Sequence, residues 1–161
     1  MMKCSIIFSL LFFFTCTITK AGNKGPVFDK ADFYAAMSSD NIQEINNQLA
    51  ILKGVGITEK DAYEGALLMK KAGLVSNTKE KLTLFKSGRS KLESSISKES
   101  DNIEYRFLRI IIQEHAPKIV KYKSQLEEDS KLIRSNFKNL SSFLQQVIND
   151  YSKKSAVLKI A

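Results

Sequence analysis

Apolar positions recur at helical spacing along most of this chain. Ile42, Ile45, Leu49 and Leu52 share one stripe, and Leu82, Phe85, Leu92 and Ile96 share another. Polar residues with a partner three positions later mark where such helices start: Asp40 with Gln43, Asn77 with Glu80, Asp101 with Glu104 and, more loosely, Thr58 with Asp61. Gly54 and Gly73 follow periodic segments, where a left-handed residue would close a helix. The pattern predicts a short helix over 30–38 and further helices over 41–53, 59–72, 78–98 and 102–115. No stretch alternates as a strand would.

Beyond Pro117, which a first helical turn tolerates, Ile119, Leu126, Ile133, Leu140 and Val147 recur every seven residues. That repeat predicts a long C-terminal helix over 117–154, or two helices joined near 136–141. Either would pack against a partner helix, so self-association through 117–154 follows as an expectation. The expected fold is all-α, a bundle or array of antiparallel helical hairpins with five to seven helices and a long C-terminal helix.

Helix 102–115 is apolar over more than half its circumference, through Ile103, Tyr105, Phe107, Leu108, Ile110, Ile111 and Ile112. It should therefore be central. Arg106, Arg109 and Gln113 remain as a narrow polar stripe, either a solvated edge or a polar patch facing a groove. The solvated edge is the preferred expectation, because long arginines cover apolar surface while keeping their heads in water.

The first residues follow a different pattern. Met1 to Lys3 make a short positive start, Ser5 to Phe14 an apolar core, and Thr19-Lys20-Ala21 a small-x-small site, which together read as a signal peptide over 1–21 cleaved after Ala21. The apolar run, at most Cys4 to Ile18, is shorter than the ~20 residues of a membrane span, so no membrane span is expected. Lipidation at Cys16 is a minor alternative, since Phe13, Phe14 and Thr15 fit a lipoprotein signal poorly. Residues 22–28, with Pro26 and two glycines, read as a flexible lead-in, and 29–161 as a single all-helical domain, periplasmic or secreted.

Export changes the composition. The formal charge of +8 becomes +6 without Lys3 and Lys20, with 23 Lys and Arg against 17 Asp and Glu. Both cysteines leave with the leader, which excludes disulfides, thiolate nucleophiles and cysteine-ligated metals from the mature domain. About 140 residues bury close to two thirds of their unfolded surface, enough for a fold without staples.

The remaining chemistry is sparse. His115 is the only histidine and stands next to Glu114 at the expected end of a helix. Glu127, Glu128 and Asp129 form the densest acidic run, read as a solvated face because neighbouring helical positions diverge. Three Ser-x-x-Lys matches, at Ser76, Ser95 and Ser135, are what a serine- and lysine-rich chain yields by chance. The glycines of KGVGIT lack a phosphate-loop signature. No metal motif and no cofactor motif is present, so none is expected. Positive charge is spread out, with Lys118, Lys121 and Lys123 the nearest to a patch. That pattern argues against nucleic acid and allows weak contact with an anionic surface.

Lys86 to Ile96 (KSGRSKLESSI) and Asn102 to Pro117 (NIEYRFLRIIIQEHAP) resemble segments of short exported helical proteins of unknown function from Bacteroidota. The resemblance runs less specifically from about residue 65 to the end and implies export from a Gram-negative cell, without an activity. Gly88, Leu92 and Ser95 also resemble the small-large-small pattern of a tetratricopeptide repeat, with Ser100-Asp101-Asn102 where its turn would lie. Ser100 stands where that repeat has proline, and Arg106 and Arg109 where it has large apolar residues, so the likeness implies repeat-like hairpins at most.

These features lead to the expectation of a non-catalytic exported helical protein of the cell envelope. It would bind another envelope protein or macromolecule through a groove or the C-terminal helix, with Arg89, Tyr105, Arg106, Arg109, Gln113 and His115 as interaction residues. One alternative is an enzyme or small-ligand carrier using Glu104, Tyr105, Arg109 and His115 around an internal pocket lined by helix 102–115. Glu104 has a competing role there as capping partner of Asp101. Another is an envelope structural protein held by basic charge.

Overall fold

A computed structural model describes residues 27–160. The expected signal peptide, its cleavage after Ala21, Cys16 and the lead-in before Val27 lie outside the described residues. Within them the chain is all-helical: α1 Lys30–Ser38, α2 Ile42–Gly54, α3 Lys60–Leu74, α4 Thr78–Lys98, α5 Ile103–His115, α6 Leu126–Asn136 and α7 Ser142–Ser152. Short 3₁₀ turns occupy Lys118–Val120 and Phe137–Asn139.

Capping side chains set most of the starts. Asp29 accepts from the N–H of Ala31 and Asp32, Asn77 from Glu80 and Ser141 from Leu144. Two expected caps move by one residue: Asn41 caps α2 in place of Asp40, and Asn102 caps α5 in place of Asp101. In each pair Asn takes the cap and Asp stays outside. Helix α3 begins after Glu59 without a side-chain cap, so Thr58 does not serve there. The glycine stops do not hold either. Gly54 is the last residue of α2 and Gly73 lies inside α3. Both helices end on an extended valine, Val55 and Val75, whose branched side chain favours that conformation.

The expected long C-terminal helix is absent. Ala116 is extended, as a residue before proline prefers. Lys121 takes a left-handed conformation at φ 46°, and α6 starts only at Leu126. A second break falls at 137–141, where a joint was one of the two expectations, leaving α6 and α7 with 11 residues each. The heptad positions Leu126, Ile133, Leu140 and Val147 pack into the chain's own core. Ile119 remains 87% exposed. The repeat arose from α6, the turn after it and α7 facing one core, with Ile119 matching the period without joining that core, and not from a single seam.

Helices α3 and α4 form the most extensive interface. They run in opposite directions: Lys91 of α4 reaches Asp61 at the start of α3, at 2.8 Å, while Gly88 lies on Gly65 one turn further along. A Cβ on Gly88 would stand 2.5 Å from the Gly65 carbonyl oxygen, so the two backbones touch because neither residue has a side chain. Helix α5 is central, as expected, packing against α3, α4 and α6 with Phe107, Leu108 and Ile110 fully buried. An aromatic group of Phe28, Phe33, Tyr34 and Tyr63 closes the core near α1.

Candidate functional site

The polar stripe of α5 faces inward. Arg109 is 4% exposed and forks onto Asp129, Nε to Oδ2 at 2.7 Å and Nη2 to Oδ1 at 2.8 Å, while its Nη1 donates to Glu93 Oε2 at 2.8 Å. Arg106 adds a donor to Asp129 Oδ1 at 3.0 Å and one from Nε to the Ser100 carbonyl. Gln113 is fully buried and donates to Gln125 Oε1 at 2.8 Å. The solvated-edge expectation is therefore corrected for Arg109 and Gln113, and Arg106 is half-buried. The expectation of a solvated acidic face fails at Asp129, which is fully buried and is the acceptor that makes burial of Arg109 tolerable. Its neighbours Glu127 and Glu128 stay outside. Burial alone would lower the pKa of Arg109, but Asp129 and then Glu93 reverse this and hold it above the ordinary value.

Glu93 also accepts from Tyr122, the buried anchor of the 117–125 segment. Arg89 lies over the Tyr122 ring, 4.6 Å from its centroid. The left-handed turn at Lys121 thus delivers Tyr122 beneath α4.

Glu104 does not cap α5. It accepts from Lys30 Nζ at 2.8 Å, Tyr63 Oη at 2.9 Å and Tyr34 Oη at 3.1 Å, tying α1 and α3 to α5. Burial first, and the Glu104 charge second, push both phenols well above the ordinary tyrosine range. Glu114 accepts from Tyr151 at 2.6 Å, from Ser155 at 2.7 Å, and from the N–H of Ala156 and Val157 at 2.8 and 3.2 Å. Burial pushes this carboxyl up, and the four donors outweigh it and hold it below its usual value. Glu104 and Arg109, paired in the pocket alternative, belong to separate networks. Tyr105 is buried, and His115 is exposed with Nδ1 2.9 Å from the Ile111 carbonyl oxygen.

Beside these networks lies an open cleft of about 1240 Å³. Its walls come from α1 (Tyr34, Met37), α3 (Met69, Ala72), α4 (Leu82, Phe85), the end of α5 with Pro117 and Ile119, and α7 (Val147, Tyr151). The lining is predominantly apolar and includes Leu82, 49% exposed, and Ile119, 87% exposed. Leu82 was expected in the core stripe of its helix; it marks instead where that stripe runs out onto the cleft. Lys81, Lys86 and Arg89 of α4 and Lys154 after α7 sit on the same walls.

Of the six expected interaction residues, Arg89 and His115 line the cleft, whereas Tyr105, Arg106, Arg109 and Gln113 build the scaffold behind it. Sequence reasoning missed the cleft because five elements contribute to it. The available signal was the Lys81, Leu82, Phe85, Lys86, Arg89 sequence, whose spacing puts cations and large apolar groups on one helix face. Among the described residues no group of three or more acidic, histidine or cysteine side chains is arranged to hold a metal ion, and no helix is long and apolar enough to cross a membrane. Comparison with family models, curated proteins and solved structures finds no match to this chain.

Proposed function

We propose that this chain is a non-catalytic binding module that works outside the cytoplasm and holds an apolar segment of another protein in the cleft between α1, α3, α4, α5 and α7. The observation that carries the reading is the cleft itself: open, lined mainly by apolar side chains and presenting Leu82 and Ile119 to solvent. Its volume of about 1240 Å³ exceeds the ~300–1,000 Å³ usual for small-molecule pockets. The interior charges support the same reading. Asp129, Glu93, Glu104 and Glu114 each accept from two or more protein donors and tie the walls together.

A photo-crosslinking residue placed at Leu82 or Ile119 in producing cells tests this, with Asn139, exposed and away from the cleft, as control. The expected result is one and the same polypeptide segment captured from both cleft positions and not from Asn139. Adducts with lipid or a small molecule alone, or equal capture at Asn139, would refute it.

A further inference from the structure

We infer that the segment taken up by the cleft is an amphipathic helix whose apolar face covers Leu82 and Ile119 and whose flank carries carboxylates that meet Lys81, Lys86 and Arg89 of α4. This rests on the cleft being a binding site for a polypeptide. Two observations select the occupant within that reading.

The first is charge. Every acidic residue on the cleft already has a partner: Asp40 is paired with Lys70 at 2.9 Å and Asp150 with Lys153 at 2.7 Å, and Glu114 is filled by its four donors. The cations are not balanced in the same way. Among the described residues no carboxylate lies within ion-pairing distance of Lys81, Lys86 or Lys154, and Arg89 rests on the Tyr122 ring. The α4 wall thus offers an uncompensated positive strip beside an apolar floor, the complement of a helix with acidic and apolar faces side by side.

The second is shape. Lys81, Phe85 and Arg89 form one i, i+4, i+8 ridge of α4, and Leu82 and Lys86 the next. A strip of this kind aligns charges along a helix axis at the spacing another helix can match. The cleft volume corresponds to about seven to ten helical residues, roughly two to three turns.

Three synthetic helical peptides sharing one apolar face, with Glu, Gln or Lys flanks, are titrated against the full chain by fluorescence anisotropy. The Glu peptide is expected to bind about tenfold tighter than the Gln peptide, through several partly exposed charge pairs, with the Lys peptide weakest. The advantage should fall as salt shortens the Debye length from ~10 Å at 0.1 M to ~3 Å at 1 M. Lys81→Glu with Lys86→Glu should invert the order of the Glu and Lys peptides. Both residues are exposed, so circular dichroism should show an unchanged fold. Equal binding of the Glu and Gln peptides overturns the acidic-helix assignment and leaves the cleft reading standing, provided Leu82→Asp and Ile119→Asp abolish that binding. Absence of binding by all three overturns both. Cleft-dependent recruitment to phosphatidylglycerol vesicles without peptide binding overturns both in favour of a lipid surface.

Discussion

Gly88→Ala should destabilise this protein, although alanine is the better helix former. In an exposed helix interior the exchange stabilises by about 0.5–1 kcal/mol. At Gly88 the new Cβ would stand 2.5 Å from the Gly65 carbonyl oxygen, 2.8 Å from Met69 Cγ and 3.0 Å from Leu68 Cβ. The methionine can rotate away, but the carbonyl belongs to the backbone of α3. Ordinary contact begins at 3.4 Å, so α3 and α4 must part by about 0.9 Å locally. Parting loosens Leu92 and Met69 along the most extensive interface of the fold. Overpacking of this kind costs about 1–3 kcal/mol, and a rigid neighbour favours the upper end. Net of the helix gain, the loss should be about 2 kcal/mol, a fall in Tm of about 5–10 °C for a domain of this size. Gly65→Ala meets Gly88 in the same way, and the double substitution should cost less than the two singles together, because one separation relieves both. Gly73→Ala, with no atom within 4 Å, is the control and should be neutral or slightly stabilising. A Gly88→Ala protein that melts at or above the parent would refute the close-contact argument.

Other consequences follow from the buried networks. Asp129→Ala strands Arg109, 4% exposed, with Glu93 as its remaining carboxylate, and should cost about 3–5 kcal/mol in urea unfolding; a loss below about 1 kcal/mol would show that Asp129 is not the counter-charge. Glu114 is held below its ordinary value of 4.5, so its contribution is complete above that pH and drains away as pH falls through the lower folded-state value. Melting curves from pH 7 to 3 should therefore show a shallower acid limb for Glu114→Gln than for the parent, and identical limbs would contradict this. Leu158 is fully buried beyond the last helix, and Leu158→Ala should cost about 2–5 kcal/mol by thermal unfolding; a neutral result would mean the C-terminal segment is not docked.

Helices α2, α4 and α5 were legible because each carries its own apolar stripe and a polar start signal, and the shifted caps at Asn41 and Asn102 are one-residue errors between adjacent cap-forming side chains. The C-terminal third was misread for a physical reason. Ile119, Leu126, Ile133, Leu140 and Val147 share a seven-residue period, yet periodicity does not distinguish one helix from successive segments facing the same core. Pro117 and the polar run from Lys121 to Gln125 were the competing signals. The α5 stripe was found, but its direction was not, since the acceptor that buries Arg109 lies 20 residues away in an acidic run indistinguishable by composition from a solvated face. Leu82 reads as core in the sequence because it continues a core stripe and no local pattern says where the core ends, whereas Arg89 and His115 of the cleft are among the expected interaction residues.

The diffuse positive charge of the sequence acquires a location once the carboxylates are followed. Glu114 is satisfied by two hydroxyls and two backbone N–H groups, all neutral. Glu104 uses one lysine and two tyrosines, and Glu93 and Asp129 share Arg109 with help from Tyr122 and Arg106. Four negative charges are thereby turned inward with fewer than four cations alongside them: Lys30, Arg106 and Arg109. Lysines that would otherwise pair with those carboxylates stay outside, and on the cleft the few exposed acids, Asp40 and Asp150, already hold Lys70 and Lys153. Hydroxyl and N–H donors stand in for one cation in the interior, which adds one charge to the excess of Lys and Arg over Asp and Glu that the sequence already carries to the surface. Lys81, Lys86 and Lys154 are then left facing an apolar channel with no counter-charge of their own.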